Sequence, residues 1–415
     1  MSRFSSHLPT NKAGFDVLLT ILAFLLPITK RGVPLVIAAM AILRLWQLFT
    51  KDQALRVASI PTRRLAAAMA AYFLLHLIGM LWTEDIATGW KEIEYKLSFA
   101  IFPLLLGWRI SRDEKLPAKV CLAFIAGCIV FIIWTLLNAS WKYSQGEGAG
   151  VWFYSELSMH FHPSYSAMYI SFAMVLWISL NHKLKLWWHI MAAALMLVYI
   201  GLLSSKAGMV SAGFAICAGS VLLWQYGQRR HALIFIGATV PLLAINALFS
   251  PGVSARIESA INDSSKLLAP ATEHVEENTS STNLRRTALL AGIRTFAQHP
   301  LGTGTGDLNE ALKEEYIRQG AFFAAEKKLN PHNQILSTGI ALGWPGILAL
   351  LALFWFGVRF AWKNSDYIYL SFLLIVAMNL MVESMLEMQG GIVFFCYWML
   401  ILVESGKITF PRTKK

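Results

Sequence analysis

His332 combines a reactive side chain with a suitable position in the chain. It lies in Leu329-Asn-Pro-His-Asn-Gln334, directly before a long apolar run. A histidine at a membrane surface can accept a proton near neutral pH and act as a general base. The alternative is an interfacial polar residue without a catalytic role. His332 is therefore a candidate base.

Three cations are candidates for binding a phosphate group. Arg285 and Arg286 stand at the predicted start of an amphipathic helix, and guanidinium groups bind phosphates in a bidentate manner. A cation at a helix N-terminus opposes the helix dipole, which favours a functional pair over a merely solvated one. Lys206 lies in Leu203-Ser-Ser-Lys-Ala-Gly208 between two apolar runs. A lysine there needs an anionic partner or must extend towards water, and this position is compatible with both.

Metal and nucleotide sites have weaker support. His160 and His162 are two residues apart, but no acidic residue stands at the spacing of a zinc motif such as HExxH. Glu383 and Glu387 are four residues apart and are predicted to share a helix face, as an acid/base pair or as structural hydrogen-bonding groups. The glycine run 302–306 lacks the Lys-Ser/Thr of a nucleotide-binding loop and is predicted to be a turn. The sequence therefore predicts neither a metal nor a cofactor.

The composition indicates that membrane helices position these residues. Of the 415 residues, 56% are hydrophobic and only 14% are charged, and the mean hydropathy is +0.53. Soluble domains are usually about 25% charged. Soluble, disordered, collagenous and coiled-coil proteins are therefore excluded, and a polytopic membrane protein is predicted.

The charge and the cysteines exclude further classes. The net charge is +12, but Lys and Arg lie between apolar runs and form no basic stripe, which argues against nucleic-acid binding. The four cysteines lie in apolar segments without CxxC spacing, which argues against a disulfide framework and a cysteine zinc site. They are predicted to be small core residues: Cys121, Cys128, Cys217 and Cys396.

Twelve apolar segments approach the roughly 20 residues that a bilayer requires. They are 14–29, 33–49, 64–83, 95–108, 118–138, 164–181, 186–203, 206–226, 231–249, 334–361, 366–384 and 390–405. The first lacks a following cleavage site and is predicted to be an anchor. The short fourth segment is predicted to begin earlier, as an amphipathic stretch from about Ala87. The tenth contains Gly343, Pro345 and Gly346 and is predicted to break into two pieces.

The distribution of positive charge predicts the orientation. More than half of the 36 lysines and arginines lie in the tails and even-numbered connections, which places both termini in the cytoplasm. The chain is therefore predicted to have three parts: nine spans in 1–249, an outer loop at 250–333, and three spans with a cytoplasmic tail in 334–415. Within the loop, 250–283 is predicted to be a mobile lid, and 284–298 and 308–320 are predicted to be helices.

Taken in order, these motifs resemble those of the O-antigen ligase and polymerase family. The loop signature consists of Leu284-Arg285, then His299-Pro-Leu-Gly-Thr-Gly-Thr-Gly306-Asp307, then Leu329-Asn-Pro-His332-Asn-Gln334. Companion motifs are the Ser-Ser-Lys-Ala-Gly turn at 204–208, His162-Pro-Ser-Tyr165 and Glu383-Ser-Met-Leu-Glu387. The resemblance extends over most of the chain from about residue 84.

The resemblance implies a metal-independent, inverting glycosyltransferase of C-type membrane architecture in the bacterial inner membrane. The donor would be a glycan on undecaprenyl diphosphate, and the acceptor of a ligase would be a sugar hydroxyl of lipid A-core. His332 and Arg285 would be catalytic, with Lys206, Arg285 and Arg286 binding the diphosphate. Lys206 departs from the arginine of many ligases. Supporting roles would fall to His162, Tyr165, Asn333, Glu383 and Glu387.

Two other functions fit parts of this pattern. A polymerase of the same family would join one lipid-linked glycan unit to another. A flippase or exporter of lipid-linked sugars would carry ionisable residues along many spans. Here the apolar runs are nearly free of charge and the polar groups gather at one outer face, which favours an enzyme. Cations can stabilise a leaving diphosphate, and a neutral histidine can activate a hydroxyl, as a transferase requires.

Overall fold

The computed structural model describes residues 11–49, 55–249 and 281–406. In these ranges the chain forms seventeen α-helices and one antiparallel strand pair. The helices are α1 Asn11–Leu25, α2 Gly32–Phe49, α3 Ile60–Gly79, α4 Ile86–Lys96, α5 Ser98–Leu106, α6 Leu116–Ser144, α7 Tyr154–Ser158, α8 Pro163–Asn181, α9 Leu186–Leu202, α10 Lys206–Gln225, α11 Arg229–Phe249, α12 Ser281–Gln298, α13 Leu308–Arg318, α14 Phe322–Glu326, α15 Gln334–Lys363, α16 Tyr367–Val382 and α17 Gln389–Ser405. Strands β1 (Leu55–Val57) and β2 (Arg109–Ser111) pair in the register Leu55 with Ser111.

The helices confirm an all-α membrane protein. Each of the twelve predicted apolar segments contains a helix. Among the described residues six helices are long and apolar enough to cross a membrane, namely α3, α6, α8, α10, α11 and α15. Five further apolar helices in this part of the chain are shorter, at 10–17 residues. The number of twelve spans stays a prediction.

The centre of the bundle is formed by α8 and α17, which are buried along nearly their whole length. A helix that is hydrophobic on all sides is typical of such a position. Aromatic rings interlock there: Trp398 lies edge-on to Phe172 at 5.0 Å and to Phe124 at 5.2 Å between ring centroids. The peripheral helices instead expose large apolar side chains such as Leu137 and Trp355, as expected of a surface in contact with lipid.

The helices of the long loop pack at one end of the bundle, which we call the loop face. Helices α12, α13 and α14 enclose a small core with the first half of α15, formed by Ala288, Ala291, Leu312, Tyr316 and Ile340 among others. The two predicted loop helices are therefore confirmed, although α12 begins at Ser281, one turn earlier than predicted. Of the predicted lid, 250–280 lies outside the described residues and 281–283 belongs to α12.

The predicted break in the tenth apolar segment is confirmed. Gly343 adopts φ 67° and ψ −160° in the middle of α15. The break leaves helix carbonyls without their usual partners, and the loop 300–307 supplies new ones. Thr303 donates its backbone N–H to the carbonyl of Ile340 at 2.7 Å, and Gly304 donates to that of Ala341 at 3.1 Å. We call this segment, Pro300–Asp307, the docking loop.

The docking loop also fixes α3 and α4. Thr305 Oγ1 donates to the carbonyl of His76 at 2.7 Å near the end of α3. The Asp307 carboxylate accepts the backbone N–H groups of Glu84 and Asp85, at 2.9 and 2.8 Å, just before α4. The glycine run is therefore a turn, as predicted, that also joins three helices beneath the loop face.

The cysteines follow the prediction in three of four cases. Cys121, Cys128 and Cys396 are buried, and all four thiols are free. Cys217 is exposed on α10, so its assignment to the core is wrong. The hydrophobicity of a segment does not distinguish a lipid-facing position from a buried one, because both are apolar.

Candidate active site

A buried carboxylate, Glu383, joins two of the candidate residues. Its Oε2 lies 3.3 Å from His332 Nδ1, and its Oε1 lies 3.2 Å from Arg285 Nη2. The side chain of Glu383 is only 7% exposed, whereas His332 is 26% and Arg285 is 35% exposed. We call these three residues the Glu383 cluster. Its carboxylate is shielded while its base and its guanidinium are accessible.

Two helix ends bring Glu383 and His332 together. Helix α16 stops at Val382, and Glu383 continues in an extended conformation. His332 precedes α15 in the left-handed region, at φ 48°, and its backbone N–H donates to Asn330 Oδ1 at 2.9 Å. Non-glycine residues in this region are uncommon and concentrate at functional sites.

Arg285 lies in the second turn of α12, since that helix begins at Ser281. The predicted placement of Arg285 and Arg286 at a helix N-terminus is therefore wrong, and the argument from the helix dipole no longer applies. Arg286 is half-buried and forms no ion pair with any carboxylate of the described residues. Of the two arginines, the structure brings Arg285 into the cluster.

Electrostatics keep Glu383 ionised. Burial alone would raise the pKa of this carboxyl. The hydrogen bond from His332 and the electrostatic interactions with His162, His332 and Arg285 outweigh burial and hold the pKa of Glu383 below its ordinary value. An ionised carboxylate at Nδ1 favours the tautomer with Nδ1–H, which leaves the lone pair on Nε2 for a substrate. This arrangement suits a general base.

Glu383 and Glu387 do not share a helix face, contrary to the prediction. The helix ends before Glu383, and Glu387 lies in a 3-10 turn, Met385–Glu387. Glu387 instead bonds Lys96, whose Nζ lies 2.5 Å from Glu387 Oε2 and 2.7 Å from Glu92 Oε2. We call Lys96, Glu92, Glu387 and Gln334 the Lys96 cluster.

The Lys96 cluster holds a charged side chain that is only 2% exposed. Gln334 Nε2 donates to Glu387 Oε1 at 2.8 Å, and the backbone N–H of Leu386 donates to Gln334 Oε1 at 2.6 Å. Burial opposes the ionisation of Glu387, but the charge and hydrogen bond of Lys96 and the bond from Gln334 hold its pKa below the ordinary value. Lys96 was not predicted as a site residue, because it lies at the predicted start of the fourth span. The available signal was Glu92 and Lys96 at i,i+4 on an amphipathic helix.

His162 and Tyr165 lie at the start of α8. His162 Nδ1 accepts the backbone N–H of Ser164 at 3.4 Å and caps the helix. Both side chains are close enough to the Glu383 carboxylate to interact with it electrostatically. These two supporting candidates therefore face the Glu383 cluster.

Lys206 is the first residue of α10 and is half-buried. Ser205 Oγ caps that helix and lies 3.0 Å from Ser164 Oγ at the start of α8. Because Gly208 approaches Ala167 too closely for a side chain, the two helix starts are packed against each other. Lys206 is thus fixed beside the His162 turn.

Asn333 connects two helix ends through its side-chain amide. Its Oδ1 accepts the backbone N–H of Leu336 at 3.1 Å and caps α15, and its Nδ2 donates to the carbonyl of Met381 at 3.2 Å. These bonds tie the start of α15 to the end of α16. Asn333 thereby sets the separation between His332 and Glu383.

A comparison with known families covers five of the candidate residues, namely Lys206, Arg285, Arg286, His332 and Asn333. A family model described as O-antigen ligase matches residues 191–351. This range includes Lys206, Arg285, His332 and the docking loop, while Glu383 and Glu387 lie beyond it. No curated protein is significantly similar to the chain. The resemblance to the O-antigen ligase family is confirmed over residues 191–351.

Proposed function

We propose that the protein is an O-antigen ligase that transfers a glycan from undecaprenyl diphosphate to a sugar hydroxyl of lipid A-core. The observation that carries this proposal is the Glu383 cluster, in which one buried carboxylate binds both a histidine and an arginine. The family match supports ligase or polymerase chemistry in general. In this proposal the loop face is periplasmic, both termini are cytoplasmic, and the membrane is the bacterial inner membrane.

In the proposed reaction His332 Nε2 takes the proton of the acceptor hydroxyl. The hydroxyl oxygen forms a bond to the anomeric carbon of the donor sugar while the bond from that carbon to the diphosphate oxygen breaks. The electron pair leaves with undecaprenyl diphosphate, and a single displacement inverts the anomeric configuration. Glu383 stabilises the imidazolium that forms, as carboxylates do for catalytic histidines.

Arg285 and Lys206 would bind the diphosphate as negative charge develops on it. Arginine has five N–H donors, and Arg285 gives one of them to Glu383. The remaining donors are available for phosphate oxygens in the geometry that guanidinium groups favour. Cations positioned before the reaction stabilise a leaving group strongly in a site that excludes water. Arg286 would add a further charge beside them.

Purified protein in nanodiscs, supplied with the lipid-linked glycan with or without lipid A-core, tests the proposal. We expect glycan to appear on lipid A-core in its presence, with an inverted anomeric centre. His332→Ala should abolish transfer while expression and membrane insertion stay normal. Near-normal transfer by this variant would refute the assignment of the base. Longer lipid-linked glycans without any core product would instead identify a polymerase, and transport of the lipid without any transfer would identify a flippase.

A further inference from the structure

We infer that a cavity beside the Lys96 cluster binds the sugar ring that presents the acceptor hydroxyl. This inference rests on the proposed function. The cavity has a volume of about 160 Å³ and lies on the loop face, between α4, the docking loop, α13 and the segment before His332. Six of its lining residues carry the argument: Glu92, Lys96, Asn309, Lys328, Asn330 and Glu387.

The lining matches the chemistry of a neutral sugar. The carboxylate of Glu92 is 19% exposed and can accept hydrogen bonds from hydroxyl groups, and the amides of Asn309 and Asn330 can donate and accept them. The charges of Glu92 and Glu387 balance those of Lys96 and Lys328, so the cavity does not favour an anion. The proposed diphosphate-binding region, with Arg285 and Lys206, instead carries a surplus of positive charge.

The volume restricts the ligand to a small group. Sites for drug-sized ligands measure roughly 300–1,000 Å³, and the cavity is smaller than these. It accommodates a single ring, while the rest of an oligosaccharide would extend beyond it. Helix α4 and the docking loop, which the Asp307 carboxylate holds together, form rigid walls for such a ring.

The position of the cavity selects the acceptor over the donor. Asn330 lines the cavity and accepts the backbone N–H of His332, so the cavity adjoins the base that must reach the acceptor hydroxyl. Lys206 begins α10 and the His162 turn begins α8, and both of these helices pack against α16. Helix α4 instead packs against α3 and the 3-10 turn of Glu387. The Glu383 cluster therefore lies between a cationic side for the diphosphate and a side without net charge for the acceptor.

Steady-state kinetics of two lining variants test the inference. We expect Glu92→Gln and Asn309→Ala each to raise the KM for lipid A-core, by about tenfold for Glu92→Gln, the loss typical of one hydrogen bond to a charged group. The kcat and the KM for the lipid-linked donor should stay within about twofold. Glu310→Gln is the matched control, because Glu310 follows Asn309 on α13 but pairs with the exposed Lys313 outside the cavity. It should leave all three parameters unchanged.

A binding measurement separates failure of the inference from failure of the proposed function. Purified lipid A-core should bind the inactive His332→Ala protein, and adding Glu92→Gln should weaken that binding by a similar factor. A raised KM for the donor, or unchanged KM values for both substrates, would refute the acceptor site. If wild type transfers glycan only to another lipid-linked unit, the proposed function fails. In that case the acceptor is the second lipid-linked unit, and Glu92→Gln should raise the KM for that unit.

Discussion

The carboxylate of Glu383 gives His332 two properties that a solvent-exposed histidine lacks. It fixes the ring tautomer through Nδ1, and it stabilises the charged ring after proton transfer. It also holds Arg285, which orients the guanidinium before a phosphate arrives. One buried residue therefore couples the proposed base to the proposed diphosphate-binding group, and its removal should affect both.

We expect Glu383→Gln to reduce transfer by about a hundredfold or more, since a lost charged hydrogen bond at a reacting centre has an effect of that order. The pKa of Glu383 is depressed, so the carboxylate stays ionised above its ordinary range near pH 4.5 and is neutralised only at still lower pH. The loss should therefore be present throughout pH 5–8. Rates from pH 5 to 8 check this, and a defect confined to one end of that range would contradict it. Glu326→Gln, on an exposed part of α14, serves as the control.

Lys206 distinguishes a requirement for charge from a requirement for shape. Lys206→Arg preserves the cation and should retain more transfer than Lys206→Ala, which we expect to lose about a hundredfold in rate. Initial rates at saturating lipid-linked glycan measure the difference. Normal transfer by Lys206→Ala would show that this lysine only extends towards the membrane surface. Lys183→Ala, in the connection between α8 and α9, controls for the loss of a positive charge elsewhere.

At the residue scale, the sequence predicted which types of side chain to examine but not their partners. His332 and Arg285 stood out because their neighbours matched a family motif. Their meeting at Glu383 depends on where α16 ends, and helix ends are the least certain part of a sequence-based prediction. Lys96 was missed because only one of its two carboxylate partners, Glu92, is near it in sequence. The other partner, Glu387, is 291 residues away.

At the scale of elements, the docking loop determines where the first half of α15 lies, and with it His332. Gly302 adopts φ 91°, and a Cβ there would lie 2.5 Å from the carbonyl oxygen of Ala341. An alanine would therefore meet both backbone strain and a fixed neighbour. The bonds from Thr303 and Gly304 to the broken helix would be displaced along with it.

We expect Gly302→Ala to lower the free energy of unfolding by about 1–3 kcal/mol or more and to reduce transfer. Gly320→Ala is the matched control. Gly320 also has a positive φ, at 71°, but a Cβ there would meet no atom within 4 Å. Thermal unfolding in detergent should show a larger decrease in Tm for Gly302→Ala than for Gly320→Ala. Equal decreases would mean that the contact with α15 contributes nothing beyond the strain at φ.

The elements themselves could be predicted more completely than the site. Apolar runs, the Gly343 break and the two loop helices are local features, and the structure confirms each of them. The bonds that connect the docking loop to α3 and α4 could not be predicted, because they join residues more than 200 positions apart. Each bond joins a docking-loop side chain, Thr305 or Asp307, to a backbone group of α3 or of the residues before α4, and a backbone group carries no signature in the sequence.

At the scale of the molecule, the charged groups of the site gather at one end of a largely apolar bundle. The Glu383 cluster, the Lys96 cluster and Lys206 all lie at helix ends near the loop face. In the proposed function, this arrangement would let the lipid-linked donor keep its polyprenyl chain in the bilayer while its diphosphate and sugars reach polar groups. It also places cations where many other glycosyltransferases would need a metal ion to neutralise the leaving group.

We therefore expect transfer to need no divalent metal. Two of the four carboxylate and histidine groups that could serve as ligands are already engaged by cations: Glu383 by Arg285 and Glu387 by Lys96. A divalent ion at either carboxylate would have to displace or approach a fixed positive charge, which is electrostatically unfavourable. Titrating the nanodisc assay with excess EDTA should leave the rate nearly unchanged. Loss of activity that Mg²⁺ or Mn²⁺ restores would contradict this and would make His160, His162, Glu383 and Glu387 the first candidates for ligands.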